Sequence, residues 1–278
     1  MSVYLRLDRL TKEFGRGRER SVAIQEVSLE VAQGEFVALI GHSGCGKSTV
    51  LNLVAGLSEP TTGQVLLDGK RVEGPGADRA MVFQSYSLLP WLTVWDNVYQ
   101  AVDAVFGELM PKHRKREATE RCLRMVNLWD HRKKRPAQLS GGMRQRVSIA
   151  RAFAVQPRVL LLDEPFGALD ALTKGSLHEE LLAMWSAEAA RRPQTVLMVT
   201  HDIDEAIYLS DRIVVMGNGP AATIAEVIPV PLQRPRAKRD LMHDRTFVQI
   251  KERLLELLEE GFTKPQYTAA SRSEATAA

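Results

Sequence analysis

Apolar and polar positions alternate with period two from Val3 to Leu7 and again from Val22 to Val31. That spacing predicts strands with one buried face. Glu35 to Ile40 is nearly continuously apolar, as a parallel strand buried on both faces is. It runs into a glycine-rich turn, Gly41 to Gly46, after which Val50, Leu51, Leu53, Val54 and Leu57 fall on one side of a helix. Short strands are expected near Gln64–Leu67 and Arg79–Phe83. From about Trp91 to Phe153 the pattern turns helical, with an amphipathic stretch from Lys112 to Leu128 and a charge run, Arg132–Arg135, before a turn.

Strands return at Val159–Leu162 and Thr195–Thr200 with a helix between them, the order of a right-handed crossover in a parallel sheet. After Pro229 come prolines and arginines that suit a surface connection. Phe247, Ile250, Leu254, Leu257 and Leu258 then recur at helical spacing, predicting a helix over about 246–260 with Gly261 as its C-cap. From Thr268 onward Ala, Ser and Thr without periodicity predict disorder. The reading is one α/β domain over 1–230 with a helical subdomain over about 91–155, followed by an extension over 231–278. No internal repeat is visible.

Composition narrows the classes. A chain of 278 residues with 45% hydrophobic and 26% charged positions is an ordinary globular one. A net charge of +3 offers no footprint for nucleic acid. Cys45 and Cys122 are far apart and have no metal-ligand spacing, so a reducing compartment is expected. The start of the chain lacks the apolar core of a signal peptide. No apolar stretch reaches the roughly 18 residues that span a bilayer. A role at a membrane therefore requires a partner.

The chemistry begins at Gly41-His42-Ser43-Gly44-Cys45-Gly46-Lys47-Ser48, followed by Thr49, which fits G-x-x-x-x-G-K-S/T. Glycines let backbone N–H groups turn inward onto phosphate oxygens, and the next helix points its N-terminus at the same anion. Lys47 reaches the terminal phosphates and Ser48 offers a hydroxyl to Mg2+. Cys45 is a small residue whose modification would block phosphate; Cys122 is expected in helix core. The cluster Lys112–Arg116 reads as a solvated helix face. Val159–Leu162 ends in Asp163 and Glu164. Asp163 is placed to hold Mg2+, and Glu164 to orient or deprotonate the attacking water. On its own this motif says only nucleoside triphosphate, and no N-K-x-D segment points to guanine.

Leu139-Ser140-Gly141-Gly142-Met143-Arg144-Gln145 resembles the LSGGQ signature of ABC ATPases, with Met143 where Gln is typical. Ser140 is also a good helix N-cap, and both readings make an anion site. The resemblance covers about Leu5 to Val227. It implies a RecA-like, mostly parallel core with an N-terminal antiparallel β region and an inserted helical subdomain. It also implies roles: Gln84 and His201 sensing the γ-phosphate, Gln84 near Mg2+, Asp170 in the D-loop, and Phe14 stacked on adenine. Two such subunits would sandwich ATP head to tail, with Ser140, Gly141 and Gly142 acting in trans.

The segment Tyr86–Val98 resembles the nitrate, sulfonate and taurine importers. Gly217–Ala222 with Arg234–Arg236 is similar to the nitrate and bicarbonate branch. The implied partners are membrane permease subunits, a second ATPase subunit (a copy or a sister chain) and, indirectly, a solute-binding protein. The implied place is the cytoplasmic face of the membrane. Leu89, Pro90 and Trp91 either form a groove for a short permease helix or cover the subdomain core. Competing readings are an ABC-fold ATPase acting on nucleic acid and a phosphate-loop kinase. The signature speaks against the kinase. The first normally carries coiled-coil insertions or tandem cassettes, and neither is present.

Overall fold

The computed structural model describes residues 3–15, 20–189, 194–241 and 243–263. Two sheets organise the chain. In the first, β1 (Val3–Phe14) lies between β2 (Ser21–Ala32) and β4 (Thr62–Leu67), and β5 (Lys70–Arg71) closes the edge. All pairings in this sheet are antiparallel. The second has six strands in the order β10 (Ile224–Pro229), β9 (Arg212–Met216), β3 (Phe36–Ile40), β8 (Thr195–Val199), β7 (Val159–Asp163), β6 (Arg79–Val82). Its pairings are parallel except that of the edge strand β10.

The central strands are buried on both faces, which is why their sequence is continuously apolar. Successive side chains divide between two cores. Phe36, Ala38, Ile40, Leu160, Leu162, Val196 and Met198 face most of the helices. Val37, Leu39, Val159, Leu161, Leu197 and Val199 face α1 (Lys47–Ala55) and the antiparallel sheet. The helical insertion consists of α2 (Val94–Phe106), α3 (Lys112–Met125) and α4 (Gly141–Ala154), packed on one another through Val98, Val102, Cys122, Leu123 and Val147. Then follow α5 (Ala171–Ala189), α6 (Ile203–Leu209), α7 (Lys238–Leu241) and α8 (Arg245–Thr263). α8 packs on α6 through an apolar face that buries Phe247, Ile250 and Leu254. The expected fold class is the observed one.

Local expectations need four corrections. β1 continues seven residues beyond Leu7 to Phe14; the polar run Asp8–Lys12 hides it, because bulges there break the strict alternation. α3 stops at Met125 rather than Leu128, where Asn127 turns at φ 55°. Gly261 is no cap, since α8 runs on to Thr263. The cluster Lys112–Arg116 is not uniformly solvated: Lys115 is buried, pairs with Asp103 and donates to the Gly107 carbonyl at 2.8 Å. The tail from Thr268 lies outside the described residues.

Candidate active site

The phosphate loop joins β3 to α1, so a buried strand delivers it rigidly to the sheet's end. Gly46 is the N-cap of α1 at φ 91°, and a Cβ there would sit 2.4 Å from Ile24 Cγ2 of β2. Only glycine combines that left-handed turn with that close approach. The first-turn N–H groups of α1 therefore face outward as an anion site. Ser43, Gly44 and Ser48 are exposed, while Lys47 is buried. The Lys47 ammonium donates to the carbonyls of Gly41 (2.7 Å) and His42 (2.8 Å), which holds it along the loop.

Asp163 ends β7, next to the loop. The Ser48 hydroxyl donates to Asp163 Oδ1 at 3.0 Å. Burial pushes the Asp163 carboxyl above its usual range, only partly opposed by the Ser48 hydrogen bond. An all-oxygen pair of hydroxyl and desolvated carboxylate beside a phosphate cradle suits a hard divalent cation, so the residues present fit Mg2+. One residue on, Glu164 adopts φ 44°, left-handed for a non-glycine, with its N–H bonded to the Val199 carbonyl at 3.0 Å. Such strain persists only where the surroundings impose it. It turns the side chain so that Glu164 Oε2 accepts from Gln84 Nε2 at 3.0 Å and lies 3.5 Å from His201 Nδ1. Two segments distant in sequence thus meet at one carboxylate.

Asp170 precedes α5 and caps it, accepting from the Thr173 N–H (3.0 Å) and hydroxyl (2.7 Å). Those bonds hold its carboxyl below the usual range. Phe14 is half-exposed and pairs with Ser21, two residues before Ala23, which flanks Gly46. Ser140 stands apart on α4, exposed, its hydroxyl accepting the Met143 N–H at 3.3 Å. Gly142 packs so closely on α5 that a Cβ would meet Thr173 Cγ2 at 2.6 Å. Within one chain, then, Lys47, Ser48, Asp163, Gln84, Glu164 and His201 form a set, while Gly141 and Gly142 pack against Tyr86, Leu169 and Thr173. A cleft of about 580 Å3 lies between α5, α6 and α8, not at the phosphate loop.

One expectation at the site changes. Cys45 is fully buried and its thiol is pushed up by burial, so it is shielded from thiol reagents in this conformation. Two supporting residues carried no sequence signal. Arg151 donates to the carbonyls of Ser87 (2.6 Å) and Tyr86 (3.3 Å), holding the left-handed turn after Gln84. Asn97, buried on α2, accepts the Leu89 N–H at 2.8 Å and donates to the carbonyls of Leu89, Leu92 and Thr93. It staples the turn that presents Trp91, 66% exposed.

The chain is similar to known proteins of one family. Residues 24–167 match the ABC transporter family. The chain is 52% identical to a nitrate import ATP-binding protein of Synechococcus elongatus, over 93% of each chain. It is 49% identical to a bicarbonate transport ATP-binding protein of Synechocystis, over 94% of this chain and 91% of that one. Among solved structures, a dimeric ATP-binding cassette in a post-hydrolysis state bound to ADP and Pi superposes with a TM-score of 0.72 at 32% identity, covering 82% of this chain and 100% of the other.

Proposed function

The chain belongs to the ABC transporter family, whose cassettes hydrolyse ATP to drive transport, and from that premise we propose that it energises import of a small oxyanion, nitrate foremost. The carrying observation is the 52% identity, over 93% of each chain, to a nitrate import ATP-binding protein. The 49% identity to a bicarbonate transport protein makes bicarbonate the second reading.

In this reading ATP lies along Gly41–Thr49, with Phe14 against adenine and Lys47 on the terminal phosphates. Ser48, Asp163 and Gln84 hold Mg2+, which when bound draws negative charge off the phosphate oxygens. Glu164 orients the attacking water and takes its proton. His201 and Gln84 sense the γ-phosphate. Ser140, Gly141 and Gly142 of a second ATPase subunit, a copy or a sister chain, cover the nucleotide from the other side, with Asp170 at that junction. The γ-phosphate contacts both faces, so its loss removes the binding energy that favours the closed pair.

The exposed Trp91 turn receives a short helix of a membrane permease, and the solute-binding protein acts through that permease. Among the described residues no helix is long and apolar enough to cross a membrane. In this reading the chain sits at the cytoplasmic face through its partners. Uptake of isotope-labelled nitrate in cells lacking this gene tests the proposal. Uptake is expected to fall to background, to return with the native gene and not with Lys47→Ala. Unchanged nitrate uptake with loss of bicarbonate or taurine uptake would overturn it.

A further inference from the structure

His201 is 57% exposed, yet its imidazole is held 3.5 Å from Glu164. The residues on either side of it are anchored from below. Thr200 is buried, and its hydroxyl donates to Glu205 Oε2. The same hydroxyl oxygen accepts the Asp202 N–H at 3.1 Å. Asp202 in turn caps α6 by accepting the Glu205 N–H at 3.1 Å. Glu205 is therefore tied to both neighbours of His201.

Glu205 is itself buried, and its other oxygen meets Nε2 of buried His178, on α5, at 3.1 Å. One turn earlier on α5, Lys174 pairs with Asp202 at 3.5 Å. Two rungs thus join α5 to the turn that carries His201. The His178 ring also meets Phe166 edge-on, with centroids 4.5 Å apart. Phe166 lies two residues after Glu164, and the Cβ position of the next residue, Gly167, is 3.5 Å from Glu164 Oε2 and 3.6 Å from His201 Cε1.

We propose that His178 is a positioning residue for ATP hydrolysis: wedged between Phe166 and Glu205, it sets the separation of Glu164 and His201. The inference rests on the roles given above to those two residues. A buried carboxylate must keep its donors or move to find others. Without the Nε2–H of His178, Glu205 turns toward a new donor and draws Thr200, and with it His201, out of place. A misplacement of about 1 Å is costly in catalysis even when no substrate contact is lost.

His178→Phe keeps a ring against Phe166 but cannot donate to Glu205, whereas His178→Gln retains a donor. His178→Phe is expected to lower kcat roughly tenfold to a hundredfold. KM for ATP should stay within about twofold, because binding groups are untouched. His178→Gln should restore most of the rate. Thr200→Val, which breaks the same chain at its other end, should reproduce the kcat loss and decides the matter if His178→Phe does not fold. An unchanged kcat in a folded His178→Phe or in Thr200→Val, or failure of His178→Gln to recover the rate, overturns the proposal. Glu164→Gln, assayed alongside, separates the two layers. If it hydrolyses ATP normally, the role of Glu164 is wrong. If it is inactive while His178→Phe is fully active, only the wedge is wrong.

Discussion

The His42 imidazole of the phosphate loop and the main-chain carbonyl of Leu258 in α8 are joined by a 2.8 Å hydrogen bond that spans 216 residues of sequence. A carbonyl can only accept, so this bond places the proton on Nε2. It ties the last helix to the nucleotide loop. α8 reaches the same neighbourhood through Lys251, paired with Asp204 of α6 at 2.7 Å, and through Arg253, paired with Glu226 of β10 at 2.7 Å.

Leu254 anchors that helix and is fully buried. Leu254→Ala is expected to cost about 2–5 kcal/mol, since the cavity left behind adds to the lost burial. Denaturant unfolding measures the cost. Because α8 carries Leu258, the variant should also raise KM for ATP, and a purely local loss of stability would leave KM unchanged.

Glu164 is shared by Gln84 and His201 and is strained at its backbone. Glu164→Gln should reduce ATP hydrolysis at least about a hundredfold while sparing ATP binding. The stalled protein should elute as a dimer when ATP and Mg2+ are present. Hydrolysis at the native rate would remove Glu164 from its role.

Asp163 leads to an opposite effect on stability. Burial raises its carboxyl pKa, so the folded chain holds the proton more tightly than the unfolded chain does. Above that raised value the ionised group costs folding energy; as pH falls through it, the cost disappears. Asp163→Asn is thus expected to raise the thermal midpoint of the nucleotide-free protein at neutral pH, with the gain shrinking toward acid pH. The same change should weaken Mg2+-dependent ATP hydrolysis. Equal midpoints at neutral pH would contradict the desolvation account.

Trp91 is exposed on a turn stapled by buried Asn97. Trp91→Ala should leave basal ATPase activity and folding intact while lowering transport. Asn97→Ala leaves several main-chain groups unpaired and should destabilise by about 1–3 kcal/mol. Loss of folding in Trp91→Ala would instead make that side chain part of the subdomain core.

Cys45 offers a simple check on the loop. It is buried, with its thiol pushed up by burial. Thiol-specific reagents should label it slowly in the native protein and fast after denaturation.

How much of this was legible beforehand follows from the range of the forces involved. Local patterns announced the phosphate loop, the acidic end of β7 and the buried parallel strands, because each depends on neighbours within a few residues. Glycine spacing, an apolar run and a terminal carboxylate carry that information on their face. The sequence pattern missed the second half of β1, where bulges break the period, and the true end of α8, which continues through Gly261 to Thr263.

What the residues determined by themselves was the inventory: a nucleotide loop, a pair of carboxylates, a signature helix and their order. What only the tertiary structure decided was which partners each one has. Glu164 meets Gln84 and His201, His178 reaches Glu205, and His42 reaches Leu258 through packing between segments distant in sequence. Periodicity reports which face of an element is apolar, but not which other element that face will meet, since a hydrophobic surface is not selective about its cover. Hydrogen-bond partners across elements depend on that packing.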